Sequence, residues 1–292
     1  MANLKEVRNR ISSVNSTQQI TKAMKMVSAA KLRRAQDAIT MMRPYAGKLR
    51  DIMENISGSL EGGVGGELTK ARPVNKVLII AVNSNRGLCG AFNAGIIRAT
   101  NKLLRENYAA QVKEGNVKVL CIGKKASDFF SKTPSVYGGN HNGLYNNLDF
   151  ESVAAVADEV MDKFKKGDYD RVDLIYNQFK NAAVQYVTIE QVLPVAPAVK
   201  TEVKVQNDYI FEPGKEQLVL ELMPKSIRVQ IYKAVLDSNA SEHGARMTAM
   251  SKATDNAGEL LRDLRLSYNK ARQAAITNEI LEIVAGAEAL NG

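Results

Sequence analysis

The stretch from Lys225 to Gly292 contains no proline, and its apolar or small residues recur at alternating spacings of three and four. Leu236, Ala240, His243, Met247, Met250, Thr254, Ala257, Leu261, Leu264, Tyr268, Ala271 and Ala275 form one sustained heptad seam. Such a seam predicts a long helix wound against another helix. After Ala275 the register slips to Ile276, Ile280, Ile283, Ala287 and Leu290, with Leu281 and Val284 widening the apolar arc. A wide apolar arc on a helix calls for a cover.

The opposite end supplies the partner. From Leu4 to about Ile56 the pattern Leu4, Val7, Ile11, Val14, Thr17, Thr21, Met24, Ser28, Lys31, Ala35, Ala38, Met42, Tyr45, Leu49, Ile52 and Ile56 predicts a second long helix. Its middle is small or polar, which lets two helix backbones approach closely. Pro44 is expected to kink or interrupt it. Basic residues gather beside the thin section at Lys22, Lys25, Lys31, Arg33 and Arg34. They read either as a solvated face or as a positive collar for acidic partner groups. The glycine-rich segment Ser57–Glu67 (SGSLEGGVGGE) ends the arm as a flexible connector.

Between the arms the period changes. Lys76–Val82 (KVLIIAV) and Val117–Gly123 (VKVLCIG) are apolar runs of strand length, as in strands buried on both faces. Helices are expected near Ala94–Glu106, Lys125–Ser131 and Phe150–Lys166, and strands at Arg171–Gln178 and Ala183–Leu193. Tyr209–Phe211 is a candidate short edge strand, and Tyr137–Asn147 and Pro194–Asn207 read as loops. The fold class is α/β: a long antiparallel coiled coil of the two termini and a central, mostly parallel, Rossmann-like domain. Its divisions are residues 1–60, 70–212 and 213–292.

Composition narrows the function classes. The 292 residues carry a net charge of +9, which points to acidic partners. No apolar run reaches membrane-spanning length, and the N-terminus lacks a signal-peptide core, so direct membrane insertion is not expected. Two cysteines, Cys89 and Cys121, and two histidines, His141 and His243, supply neither a disulfide framework nor a metal site. No cofactor is expected either. The turn SNRGLCGAFN (Ser84–Asn93) lacks the lysine and Ser/Thr of a phosphate loop and the spacing of a dinucleotide fingerprint. Cys89 has no evident histidine partner, and Asp158 and Glu159, adjacent on one helix, point apart. The central domain therefore reads as a scaffold.

Arithmetic joins the arms. At ~1.5 Å per residue the N-terminal arm spans roughly 80 Å and the C-terminal arm roughly 110 Å. The longer helix should overshoot by about 30 Å, starting near Ala271, close to the end of the strict seam at Ala275. Two rivals remain at this level: a nucleotide-binding enzyme with helical arms, and a coiled coil that binds nucleic acid. The missing lysine disfavours the first. Acidic Asp255, Glu259 and Asp263 along the C-terminal arm disfavour the second, so no nucleic-acid partner is expected.

ITKAMKMVSAAKLRRAQ (Ile20–Gln36), SNRGLCGAFN, ARMTAMSKATDNAGELL (Ala245–Leu261) and YNKARQAAITNEILEIVAGA (Tyr268–Ala287) resemble the gamma subunit of F-type ATP synthases over essentially the whole chain. Asn85 stands where that family usually carries Asp, and the paired-cysteine segment of chloroplast relatives is missing. The resemblance implies a non-catalytic rotor shaft, peripheral on the cytoplasmic face of a bacterial plasma membrane. Its partners would be the alpha and beta subunits of the head, epsilon and the membrane c ring. It implies that Lys22, Met24, Lys25 and Arg246 lie near the acidic loop of each beta subunit. Gln273, Thr277, Glu279 and Glu282 would meet loops gripping the upper shaft, and Ile280, Ile283, Val284, Ala287 and Leu290 an apical sleeve. Tyr209 and Glu212 would lie on the c-ring and epsilon side.

Overall fold

The computed structural model describes residues 4–58, 66–195 and 214–291. Helix α1 runs Leu4–Gly58 and helix α6 runs Lys215–Asn291. Between them lie β1 (Val77–Val82), α2 (Phe92–Glu106), α3 (Ala109–Lys113), β2 (Val117–Ile122), α4 (Lys124–Phe130), β3 (Tyr137–Asn140), α5 (Phe150–Lys165), β4 (Arg171–Phe179) and β5 (Gln185–Leu193). The chain forms two compact units, residues 29–246 and residues 1–28 with 247–292. Both terminal helices contribute to both units.

In the unit 29–246 the five strands lie in the order β3-β2-β1-β4-β5. The first four are parallel and β5 is antiparallel to β4, so the expected mostly parallel sheet is present. Alternation along β1 feeds two cores. Leu78, Ile80 and Val82 pack with Val153, Val160 and Phe164 of α5 and with Ile227, Ile231 and Val235 of α6. Val77, Ile79 and Ala81 pack on the other side with Ile96 and Leu103 of α2 and Phe130 of α4. Covered on both faces, β1 has every residue buried, which accounts for its unbroken apolar run.

One local outcome differs from expectation, and two prolines lie inside helices. Tyr137–Asn140, read as loop, is a strand beside β2. Its glycines hide it from pattern reading but serve close approach: a Cβ on Gly138 would sit 3.0 Å from the Lys118 side chain and 3.2 Å from Val119 O. Helix α6 begins at Lys215 and passes through Pro224, because Val219, Met223 and Ile227 are buried on either side of it. Likewise α1 continues through Pro44, with Ile39 and Leu49 buried around it. The connector at Ser57–Glu67 is described only at its ends, and the Tyr209–Phe211 strand lies outside the described residues.

In the unit 1–28 with 247–292 the helices run antiparallel. Arg8 donates to the Tyr268 hydroxyl (2.7 Å), Gln18 to Thr254 O (3.4 Å) and Lys25 to Ser251 Oγ (2.9 Å), so one chain rises as the other descends. The waist is thin and partly polar: Thr254 Oγ1 donates to Thr21 Oγ1 at 2.8 Å. A Cβ on Gly258 would already be 3.0 Å from Gln18 Nε2.

Candidate partner-binding faces

The turn Ser84–Asn93 is where an enzyme of this architecture would hold its ligand. In an open parallel sheet the ligand crevice opens at the carboxyl ends of strands, where the chain reverses its direction of travel. Here that point lies between β1 and β4. It is filled from within. Ser238 Oγ of α6 reaches Val82 O (3.5 Å) and Ser241 Oγ reaches Asn177 O (3.0 Å), both serines fully buried.

Many of the turn's polar groups are paired, although Asn83 Oδ1 just before it is buried without a partner. Asn93 Oδ1 accepts from Ser84 N (3.1 Å) and Asn83 Nδ2 (3.2 Å), while its Nδ2 donates to Ser84 Oγ (2.8 Å) and Cys89 Sγ (3.1 Å). Asn85 uses both halves of its amide: Nδ2 donates to Asn142 O (3.0 Å) and Oδ1 accepts from Lys124 N (2.8 Å). Gly123 closes the arrangement at φ 112°, where a Cβ would lie 2.2 Å from Asn83 O.

Nothing here is set up as a nucleophile. Burial raises the Cys89 thiol above its ordinary pKa and pushes Cys121 up to about 12, so both remain protonated thiols near neutrality. Asp158 pairs with Arg228 (2.7 Å), whereas Glu159 meets Lys163 (2.7 Å) and His141 (3.2 Å), so the adjacent carboxylates do face different partners. Among the described residues no group of His, Cys, Asp and Glu is placed to hold a metal ion.

The residues expected to meet partners fall on both units. Lys22 and Lys25 are exposed and Met24 half-buried on α1. Exposed Lys31, Arg33 and Arg34 extend the basic row within the other unit. Arg246 is different. Only 7% exposed, it sends Nε to Gly87 O (3.3 Å) and Nη2 to both Arg86 O and Gly87 O (3.2 Å each), and its Nη1 meets Glu242 at 2.8 Å. The i,i+4 spacing of Glu242 and Arg246 was visible in the sequence, but their common burial was not.

The α6 seam is followed closely. Met250, Ala257 and Leu261 are buried, Thr254, Leu264, Tyr268, Ala271 and Ala275 are half-buried, and every described side chain from Ile276 onward is exposed. Ile276, Ile280, Leu281, Ile283 and Val284 show 47%, 55%, 60%, 71% and 49% of their surface. Gln273, Thr277, Glu279, Glu282 and Ala287 are exposed beside them, with Thr277 Oγ1 turned back to Gln273 O at 3.0 Å. The Leu290 side chain and the Tyr209 and Glu212 positions lie outside the described residues. On α1 the seam departs by one place at three positions: Gln18, Leu32 and Ala46 turn inward where Thr17, Lys31 and Tyr45 were expected.

An α/β unit whose ligand crevice is filled by its own helix, together with a helix pair that leaves apolar surface uncovered, defines a protein that works by contact with other chains. The comparisons specify which. The family model described as ATP synthase matches residues 3–290. The ATP synthase gamma chain of Flavobacterium johnsoniae is 61% identical and that of Cytophaga hutchinsonii 54% identical, each with all of both chains covered. Among solved structures, a central-stalk and c-ring structure of the Tetrahymena thermophila mitochondrial ATP synthase matches with TM-score 0.61 at 27% identity, covering 80% of this chain and 99% of that one. A Euglena gracilis mitochondrial ATP synthase structure matches with TM-score 0.71 at 24% identity, covering 98% and 94%, a likeness of fold. The chain belongs to the ATP synthase gamma-chain family.

Proposed function

We propose that this chain is the central-stalk rotor shaft of a bacterial ATP synthase, peripheral on the cytoplasmic face of the plasma membrane and without catalytic activity of its own. The observation that carries the reading is the bare apolar run from Ile276 to Val284 directly after the seam ends at Ala275. No helix among the described residues is long and apolar enough to cross a membrane, so lipid does not supply the cover by a span. A sleeve formed by alpha and beta subunits would supply it.

A shaft that turns past equivalent neighbours must not lock into any of them. Apolar contact suits this, being non-directional and free of a fixed hydrogen-bond register. The exposed Lys22 and Lys25, with Met24, would meet the acidic loop of each beta subunit in turn. Exposed ion pairs are worth ~0–1 kcal/mol each, attraction weak enough to transfer between sites. Gln273, Thr277, Glu279 and Glu282 would touch the loops around the upper shaft. Tyr209 and Glu212 would lie toward epsilon and the c ring. Each shaft angle then favours one conformation of a beta subunit by its differential contacts, and proton-driven rotation becomes a cycle of populations.

The test is reconstitution with alpha and beta subunits. The reading predicts ATPase activity that depends on this chain and none from the chain alone; activity indifferent to the chain would refute it. Met24→Lys, which adds a charge to the narrow section, should leave assembly intact and lower proton-driven ATP synthesis several-fold. Wild-type synthesis rates in that variant would remove Met24 from the coupling face.

A further inference from the structure

The guanidinium of Arg246 faces inward. Its fork spans the carbonyls of Arg86 and Gly87, its third nitrogen meets Glu242 at 2.8 Å and His243 Nδ1 at 3.4 Å, and 7% of the residue is exposed. Glu242, one helical turn earlier and 6% exposed, balances the charge locally, so the pair presents almost none of it to a neighbouring chain. The turn that receives the fork is itself stiff. Asn93 ties its two limbs together, Asn85 and Ser84 O hold the amides of Lys124 and Lys125, and Cys89 and Phe92 are buried beneath it. Arg246 is also the last residue that α6 contributes to the α/β unit.

We infer that Arg246 is a positioning residue, a clamp that fixes α6 to the Ser84–Asn93 turn and passes torque between the sheet and the helix, rather than a charge offered to the beta subunit. The inference rests on the central-stalk reading. The planar guanidinium is what the geometry requires. It reaches two carbonyls and a carboxylate at once, whereas an ammonium of the same charge is a point donor that cannot span them. A helix rotated by a sheet, or the reverse, slips unless its azimuth is fixed where it leaves the sheet. Ser238 and Ser241 fix depth with one hydrogen bond each to β1 and β4. Arg246 fixes azimuth, because its fork ties α6 to a third anchor, the carbonyls of Arg86 and Gly87 in the turn after β1, beyond the two serine contacts.

Lysine separates the clamp from a partner-facing charge. In the isolated chain, Arg246→Lys and Arg246→Gln should each reduce amide exchange protection at Ser84, Phe92, Lys124 and Lys125 by at least about tenfold, the scale of losing charge-assisted hydrogen bonds. In the assembled complex both should lower the number of protons pumped per ATP hydrolysed. Wild-type protection and pumping in Arg246→Lys, with a defect confined to Arg246→Gln, would show a charge presented to a partner and overturn the clamp. Should both variants fail to fold by circular dichroism, Glu242→Gln decides: loosening of the same four amides supports the clamp, and unchanged protection overturns it. If the wild-type complex itself pumps no protons, the central-stalk reading fails, while exchange in the isolated chain still decides whether the clamp exists.

Discussion

At the scale of single residues, two groups of α6, Asp237 and His243, are shifted in opposite directions. Asp237 is 2% exposed and burial pushes it up to about 6, against the pull of Lys233 and Arg43 and with the push of Glu190. A raised folded pKa means stability that is present in acid and lost as pH rises through about 6. His243 behaves oppositely: burial, with Arg246 and Lys31 nearby, lowers it to about 4. Its contribution is present above the unfolded value near 6.5 and lost as pH falls toward 4. Between pH 4 and 6 the two oppose, so the wild type should vary little there. Asp237→Asn removes one side. It should be more stable than wild type by about 2 kcal/mol at pH 8, with the difference vanishing near pH 4. Urea unfolding at the two pH values checks this, and two parallel curves would contradict it. None of this was legible in the sequence, where Asp237 lies next to the seam residue Leu236 as an ordinary helix carboxylate. Burial by elements distant in sequence leaves no local mark.

At the scale of elements, α6 changes role along its length without changing its backbone. Up to Arg246 it is a core helix of the α/β unit, from Met247 to Ala275 one strand of a two-helix pair, and from Ile276 onward an exposed apolar helix. The seam was readable because helix pairing repeats one rule, a small or apolar side chain every third or fourth residue. The strands β1 and β2 were readable because burial on both faces makes them uniformly apolar. Strand β3 was not, because YGGN is held by its backbone and carries almost no side-chain signal. The one-place departures at Gln18, Leu32 and Ala46 put the four-residue step before the three-residue step, and at the middle one the buried residue is the apolar Leu32 rather than Lys31. Two glycines on α6 test the change of role. At Gly244 a Cβ would meet the backbone of Ala182 at 3.2 Å, and at Gly286 it would meet nothing within 4 Å. In an exposed helix interior Gly→Ala gains up to about 1 kcal/mol. Gly286→Ala should therefore raise helicity at no cost in stability. Gly244→Ala should lower stability by about 1–2 kcal/mol despite the better propensity, since backbone cannot yield as a side chain does. Circular dichroism and thermal melts distinguish them, and equal stabilisation by both would refute the close approach at Ala182.

At the scale of the whole molecule, the features that exclude catalysis and those that favour rotation have one origin. The helix that fills the crevice between β1 and β4 is the helix that continues into the pair and then into the bare segment. A ligand in the crevice would displace α6 from its seat, so the α/β unit holds the helix where related sheets hold a nucleotide. The exposure of Lys22, Lys25 and the apolar side chains from Ile276 to Val284 follows the sequence pattern. Arg246 was assigned to the beta-subunit side by the resemblance alone; its burial and its fork across the carbonyls of Arg86 and Gly87 had no sequence signal. The most direct measurement fixes a complex of this chain with alpha and beta subunits to a surface by the head and attaches a bead to the α/β unit. On addition of ATP the account predicts stepwise rotation of the bead in one direction. A bead that stays still while ATP is hydrolysed would contradict it.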